Sequence, residues 1–140
     1  MRVKDARQTF LGIWVKLILS GQPIEVWGGE QLRDFNYVDD VVDALLRAAV
    51  TDACFGNVYN LGDEQRVTLL ELAKMVVDSH GSGDYSVHAF PEERKKIDIG
   101  DYYSDFSKFR AESGWQPQVS LERGLAQTLD YYRDRLEQYL

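Results

Sequence analysis

The chain is short of the residues that act through a thiol, an imidazole or a bound metal. Its 140 residues contain one cysteine, Cys54, so no disulfide can close within it and it suits a reducing cytoplasm. Cys54 lies in Thr51-Asp52-Ala53-Cys54-Phe55-Gly56, a loop-like stretch after a helix, and reads as an inert structural thiol. The two histidines, His80 and His88, form no cluster at ligand spacing, which argues against a zinc site. His80 falls near a helix C-terminus, where a cation is favoured, and His88 points off a strand.

Cations are outnumbered, 16 Lys and Arg against 23 Asp and Glu, for a net charge of −7. Binding nucleic acid through a broad basic surface is therefore disfavoured, while a single anionic ligand held by two or three local cations stays compatible. The apolar run from Phe10 to Leu19 is interrupted by Lys16 and too short to cross a bilayer. No small-residue cleavage site follows it, so it reads as a buried helix, with no membrane partner. Also missing are a Ser-His-acid spacing suited to hydrolysis and a glycine-rich turn after a strand, the usual cradle for a dinucleotide.

With 44% hydrophobic and 12% aromatic residues, what remains is a folding chain, long enough over residues 1–140 for a single domain with its own core. Thr9 can cap a first helix that Gly21 ends, with Phe10, Ile13, Trp14, Leu17 and Ile18 on one stripe and Leu11, Val15 and Leu19 widening it nearly all round. Such a helix wants cover on more than one side, which hints at a missing partner surface. Ile24 to Trp27 makes a strand. Asp39 or Asp40 begins a second helix carrying Val41, Val42, Leu45, Leu46 and Ala49, where capping and the helix dipole explain both acids.

Asn57 to Gly62 reads as a short strand ending in a polar turn, in which Asn60, a type that tolerates left-handed torsions, either holds the turn or touches a ligand. Thr68-Leu69-Leu70-Glu71 is a capping box for a third helix, ended by Gly81-Ser82-Gly83. Tyr85 to Phe90 alternates like an exposed or edge strand. Asp105 can cap a short helix through Ser113, and Ser120 opens a last one with Leu121, Leu125, Leu129, Tyr132, Leu136 and Leu140 on one stripe. This mixed order makes the class α/β or α+β.

Two stretches carry more special residues than connectors need. In Trp27 to Asp40, Gly28-Gly29 allows a reversal that side chains would forbid. Arg33 leaves that turn just before Phe35 and Tyr37, whose period-two spacing puts both rings on one face. A guanidinium there offers a planar fork suited to phosphate or carboxylate, and its plainer alternative is a salt bridge to Asp34 or another surface acid. The second stretch, Pro91 to Asp105, places Arg94, Lys95 and Lys96 together where a loop is expected. The three cations are either a solvated charge run or, with Arg33, the other half of a pyrophosphate clamp.

Four ordered motifs, spread over nearly the whole chain, resemble the NAD-dependent epimerase/dehydratase family of extended short-chain dehydrogenase/reductases, in its C-terminal half. They are Gly21 to Gly28, Arg33-Asp34-Phe35-Asn36-Tyr37-Val38-Asp39-Asp40, Val58-Tyr59-Asn60-Leu61-Gly62, and Gly114 to Leu125. The resemblance implies an α/β fold of short strands with about five helices, a detached C-terminal substrate-binding domain without its Rossmann half. It implies that the intact enzyme uses NAD, that this chain holds no cofactor, and that the ligand is a nucleoside diphosphate sugar linked to UDP, dTDP, GDP or CDP. Arg33 would bind the diphosphate, Trp27 would lie beside the base, and one of Arg94, Lys95 and Lys96 would meet phosphate or ribose, with Asp98 near the ribose and Asn60 also toward the ligand.

None of the eight tyrosines is followed four residues later by lysine, so the family's catalytic Tyr-x-x-x-Lys pair is absent and the chain alone is not expected to act as an isomerase or lyase. A second expectation is a non-catalytic nucleotide-binding or protein-interaction module, whose wide Phe10 to Leu19 stripe meets either the Rossmann half or another subunit in a homodimer.

Overall fold

Residues 9–95 and 98–139 are described by a computed structural model, apart from the side chains of Arg94 and Lys95. Lys96 lies outside the described residues. The fold is α/β. Strands β1 (Ile24–Trp27), β2 (Leu32–Arg33), β3 (Val67–Thr68) and β4 (Tyr85–His88) are set among helices α1 (Phe10–Leu19), α2 (Val38–Val50), α3 (Leu69–His80), α4 (Glu92–Lys95), α5 (Ser107–Ser113) and α6 (Leu121–Arg133). Five of these helices exceed one turn, as expected; the single turn of α4 falls where the sequence suggested only a loop.

β1 and β4 pair in parallel from Ile24↔Tyr85 to Trp27↔His88; α1 and α3 pack on them, and α6 packs on α1 and α3. Ile24 and Val26 point into the main core with Trp14, Val15, Ile18, Leu72, Val76, Leu125 and Leu129, while Glu25 and Trp27 point out. That alternation is the pleat at work on a four-residue strand. The indole of Trp14 is satisfied inside the core by donating from Nε1 to the Glu25 carbonyl at 3.1 Å. α3 starts at the capping box: Glu71 N–H donates to Thr68 Oγ1 at 3.1 Å and the Thr68 N–H donates to the Glu71 carboxylate at 2.7 Å. It stops at Gly81, left-handed at φ 80°.

A second, smaller core gathers Ala44, Cys54, Phe106, Phe109 and Trp115, with Ala48, Tyr59 and Leu61 against it. Cys54 is a buried thiol there, as its setting suggested. Asp40 is buried among this group, at 5% exposure. Its carboxylate accepts from the Gln118 N–H at 3.1 Å and the Val119 N–H at 3.0 Å, and its carbonyl accepts from Trp115 Nε1 at 3.1 Å. The expectation that Asp39 or Asp40 caps α2 is therefore corrected. The N-cap is Tyr37, which makes no side-chain cap bond, and Asp40 is spent on a turn some eighty residues away because that turn's amides are buried and need an acceptor.

Four more expectations change. Asn57 to Gly62 is not a strand: among the described residues no strand pairs with it. Asn60 holds no left-handed torsion, since positive φ is confined to glycines. β4 ends at His88 and not at Phe90. The Phe10 to Leu19 stripe is not the uncovered surface, because Trp14, Val15 and Ile18 are buried and Leu11, Ile13 and Leu19 pack against the same core.

Candidate functional site

The glycine turn is rigid. Gly28 and Gly29 take φ of 73° and 96°, a region that favours glycine. A Cβ on Gly28 would stand 3.1 Å from the Phe90 ring and 3.2 Å from the Gln31 amide. Gln31 closes the turn by accepting the Gly29 N–H at 3.1 Å. The carbonyls of Gly29 and Gln31 then accept the N–H groups of Leu70 (3.0 Å) and Leu69 (3.1 Å), so the turn also satisfies two of the free donors at the start of α3.

From that turn β2 runs between two neighbours. Leu32 and Arg33 pair antiparallel with Thr68 and Val67 on one side, and Arg33 bridges in parallel to Tyr102 on the other. The Leu32 N–H donates to the Asp101 carboxylate at 2.9 Å, and the Tyr102 N–H donates to the Leu32 carbonyl at 3.0 Å. Arg33, its side chain only 14% exposed, donates from Nη1 to the Leu32 carbonyl at 2.8 Å and to the Gly100 carbonyl. Its Nη2 faces Asp98 Oδ1 at 3.8 Å, a charge pair too long for a hydrogen bond.

Arg33 does not pair with Asp34. Asp34 instead accepts the N–H groups of Asp63 (3.2 Å) and Ser104 (3.1 Å) through Oδ2. Asn36 adds a third tie by donating to the Gly62 carbonyl at 3.0 Å. The motif Arg33 to Tyr37 is thus a clasp joining residues 62–63, 100 and 104. Phe35 and Tyr37 share one face as expected, together lining a small hollow of ≈ 80 Å³ against Leu121, Gly124 and Leu125. Burial, and next the nearby Asp34 charge, push the Asp63 carboxyl above its usual range, against the Gln65 N–H that lowers it.

Between the glycine turn and the Asp98–Asp101 loop lies an open cleft of ≈ 540 Å³, lined by Gly28, Glu30, Gln31, Phe90, Asp98, Gly100 and Asp101. Of the residues singled out in the sequence, Arg33 and Asp98 come together, Arg33 standing behind the wall that Asp98 and Gly100 form. Trp27 stands at the end of β1 beside Gly28, 39% exposed, with its ring 4.9 Å from that of His88. Asn60 is exposed and lines none of this cleft. The loop cations Arg94 and Lys95 have no described side chains, and Lys96 is outside the described residues. Gln31, Phe90 and Asp101 were not singled out in the sequence; the signal for Gln31, two residues after Gly29, and for Asp101, next to Gly100, was their place at glycine turns, which need polar partners. Arg66, stacked 3.8 Å over the Tyr103 ring, was also missed.

Among the described residues no three His, Cys, Asp or Glu side chains are placed to hold a metal, and no helix is long and apolar enough to cross a membrane. The glycine turn after β1 leads into β2 and not into a helix, unlike the strand-turn-helix that cradles a dinucleotide.

Comparison with known proteins gives these features relatives. The sequence model of the NAD dependent epimerase/dehydratase family matches residues 2–62. A dTDP-glucose 4,6-dehydratase of Haemophilus influenzae is 30% identical over 89% of this chain and 40% of its own length. A UDP-glucuronic acid decarboxylase 1 of Xenopus tropicalis is 33% identical over 98% of this chain and 31% of its own. Among solved structures, a UDP-glucose 4-epimerase of Thermotoga maritima with UDP-glucose superposes with a TM-score of 0.79 at 30% identity, covering 95% of this chain and 42% of that one. An epimerase of Methanothermobacter thermautotrophicus shares the fold with a TM-score of 0.84 at 21% identity, covering 94% of this chain and 39% of that one. This chain therefore spans 31 to 42% of the length of these proteins and is similar, over nearly all of its own length, to part of the enzymes of the NAD-dependent epimerase/dehydratase family.

Proposed function

We propose that this chain is the substrate-binding part of a sugar-nucleotide epimerase or dehydratase, gripping a nucleoside diphosphate sugar in the cleft between the Gly28–Gln31 turn and the Asp98–Asp101 loop. The observation that carries this is Arg33: a guanidinium fixed by two carbonyls, with Nη2 facing Asp98 of the cleft wall at 3.8 Å. Pre-positioned forks of this kind bind phosphate in two-point fashion with little further loss of side-chain freedom.

The cleft lining itself contains acids, Glu30, Asp98 and Asp101. Asp101 is occupied by the Leu32 amide, and carboxylates suit ribose and sugar hydroxyls, which donate. The diphosphate belongs on the Arg33 side, with a cation from Arg94, Lys95 or Lys96 closing over it, and the base beside Trp27. The names of the relatives fit this reading, since dTDP-glucose, UDP-glucuronic acid and UDP-glucose are all nucleoside diphosphate sugars. Hydride transfer to NAD, and proton removal by a tyrosine followed four residues later by lysine, fall to residues outside this chain. Here the binding energy of the diphosphate handle serves to orient the sugar.

Titration calorimetry with UDP-glucose and dTDP-glucose tests the proposal. Binding that weakens at least about tenfold in Arg33→Lys, which keeps the charge and loses the fork, supports it. Equal affinity in the parent and in Arg33→Lys, with an unchanged melting temperature, ends it. The second reading, a non-catalytic interaction module, is favoured by the exposed apolar face of α2 and predicts no nucleotide binding at all.

A further inference from the structure

The last pair of the β1–β4 ladder differs from the pairs before it. The register sets Trp27 opposite His88, so both side chains leave the same face of the sheet, opposite to the face through which Ile24 and Val26 enter the core. The two rings stack, with centroids 4.9 Å apart and planes inclined by 31°, within the range in which aromatic pairs attract. Trp27 is nonetheless 39% exposed. One side of the indole is seated on a ring, and the rest of it is open at the end of a strand.

The imidazole under that indole is held twice. Its Nε2 shares a hydrogen bond with Ser86 Oγ at 2.9 Å, and the His88 carbonyl accepts the Gly28 N–H at 2.9 Å. Gly28 lines the cleft, as does Phe90, two residues after His88. The glycine turn, the imidazole and the indole are therefore one connected unit at the edge of the cleft.

Building on the function proposed above, we infer that His88 is a positioning residue for the nucleobase: its imidazole, steadied by Ser86, fixes the Trp27 indole so that the open side of the indole takes the base of a nucleoside diphosphate. An indole free to turn about its two side-chain torsions loses that freedom when a base stacks on it, and the loss lowers affinity. An indole already seated on a ring has little left to lose. Stacking uses the face of a base and not its hydrogen-bonding edge, so the platform selects a planar ring and not one particular base.

Calorimetry of the 140-residue chain with UDP and with inorganic pyrophosphate separates the base from the charged handle. His88→Gln keeps a polar tip for Ser86 and loses the ring, while His88→Phe keeps the ring and loses the polar tip. His88→Gln should weaken UDP binding at least about threefold and leave pyrophosphate unchanged, and His88→Phe should stay within roughly twofold of the parent for both. Ser86→Ala, which removes only the tether, should weaken UDP in the same selective way, and it decides the matter if His88→Gln does not fold. Any of three results overturns the inference: UDP held as tightly by His88→Gln as by the parent, UDP and pyrophosphate weakened in step, or His88→Phe falling as far as His88→Gln. A parent chain that holds pyrophosphate as tightly as UDP makes no use of the base and overturns the inference too, while leaving the grip of Arg33 on the diphosphate standing. A parent that binds neither ends both.

Discussion

Oδ2 of Asp34 stands 2.7 Å from the point where a Cβ on Gly62 would be. The same Cβ would meet Ser104 Cβ at 2.8 Å and the Ser104 carbonyl at 2.9 Å, and neither neighbour can move without its backbone. Gly62→Ala is expected to push the Asp34 carboxylate off the Asp63 and Ser104 amides and to cost roughly 1–3 kcal/mol, the usual range for overpacking. Denaturant unfolding measures it, and a cost under a few tenths would mean the clasp gives easily.

Asp40 is the buried charge that holds α2 to the turn before α6. Asp40→Ala leaves the Gln118 and Val119 amides without their acceptor and should cost about 2–4 kcal/mol. Asp40→Asn keeps one acceptor oxygen and should cost less. If the two variants unfold at the same denaturant concentration, the carboxylate is not what the turn depends on.

Trp27 is the tryptophan near the cleft, and Trp14 and Trp115 are buried in separate cores. Addition of UDP-glucose or dTDP-glucose should change the emission of the parent chain, and most of that change should vanish in Trp27→Phe. A full response in Trp27→Phe would place the ligand away from the end of β1.

Acid should weaken the chain partly through Glu71. The Thr68 backbone N–H, followed by its hydroxyl, holds the Glu71 carboxyl below its usual range in the folded state. A carboxyl depressed on folding contributes stability above its unfolded value, and that contribution is lost as pH falls through the folded one. Glu71→Gln removes the titrating group and keeps an acceptor. Its melting temperature should therefore fall less steeply than the parent's below about pH 5. Parallel curves would rule Glu71 out as a source of the acid limb.

Local signals were readable where local bonds decide the outcome. The capping box at Thr68, the Ser120 start of α6, the Gly81 stop and strand β1 all follow from neighbours within four residues. Arg33 and Asp98 were both marked as site residues, and the fold sets them side by side. Partners distant in sequence left no such trace. Nothing near Asp40 announces Gln118 and Val119, and nothing near Asp34 announces Ser104. The two-residue strands β2 and β3 have too few side chains to show a period. Asn57 to Gly62 fails as a strand for the opposite reason: its pattern is right, and among the described residues it lacks a neighbour to pair with.

The bond from Asp40 to residues 118 and 119 also constrains the order of events as the chain is made. A nascent polypeptide must extend past Val119 before Asp40 meets the amides that donate to it, and past Trp115 before Ala44 has an indole to pack on. Until then α2 is apolar on its outward side and has no indole packed on the other, a transient exposure of the kind that invites aggregation before the chain is complete.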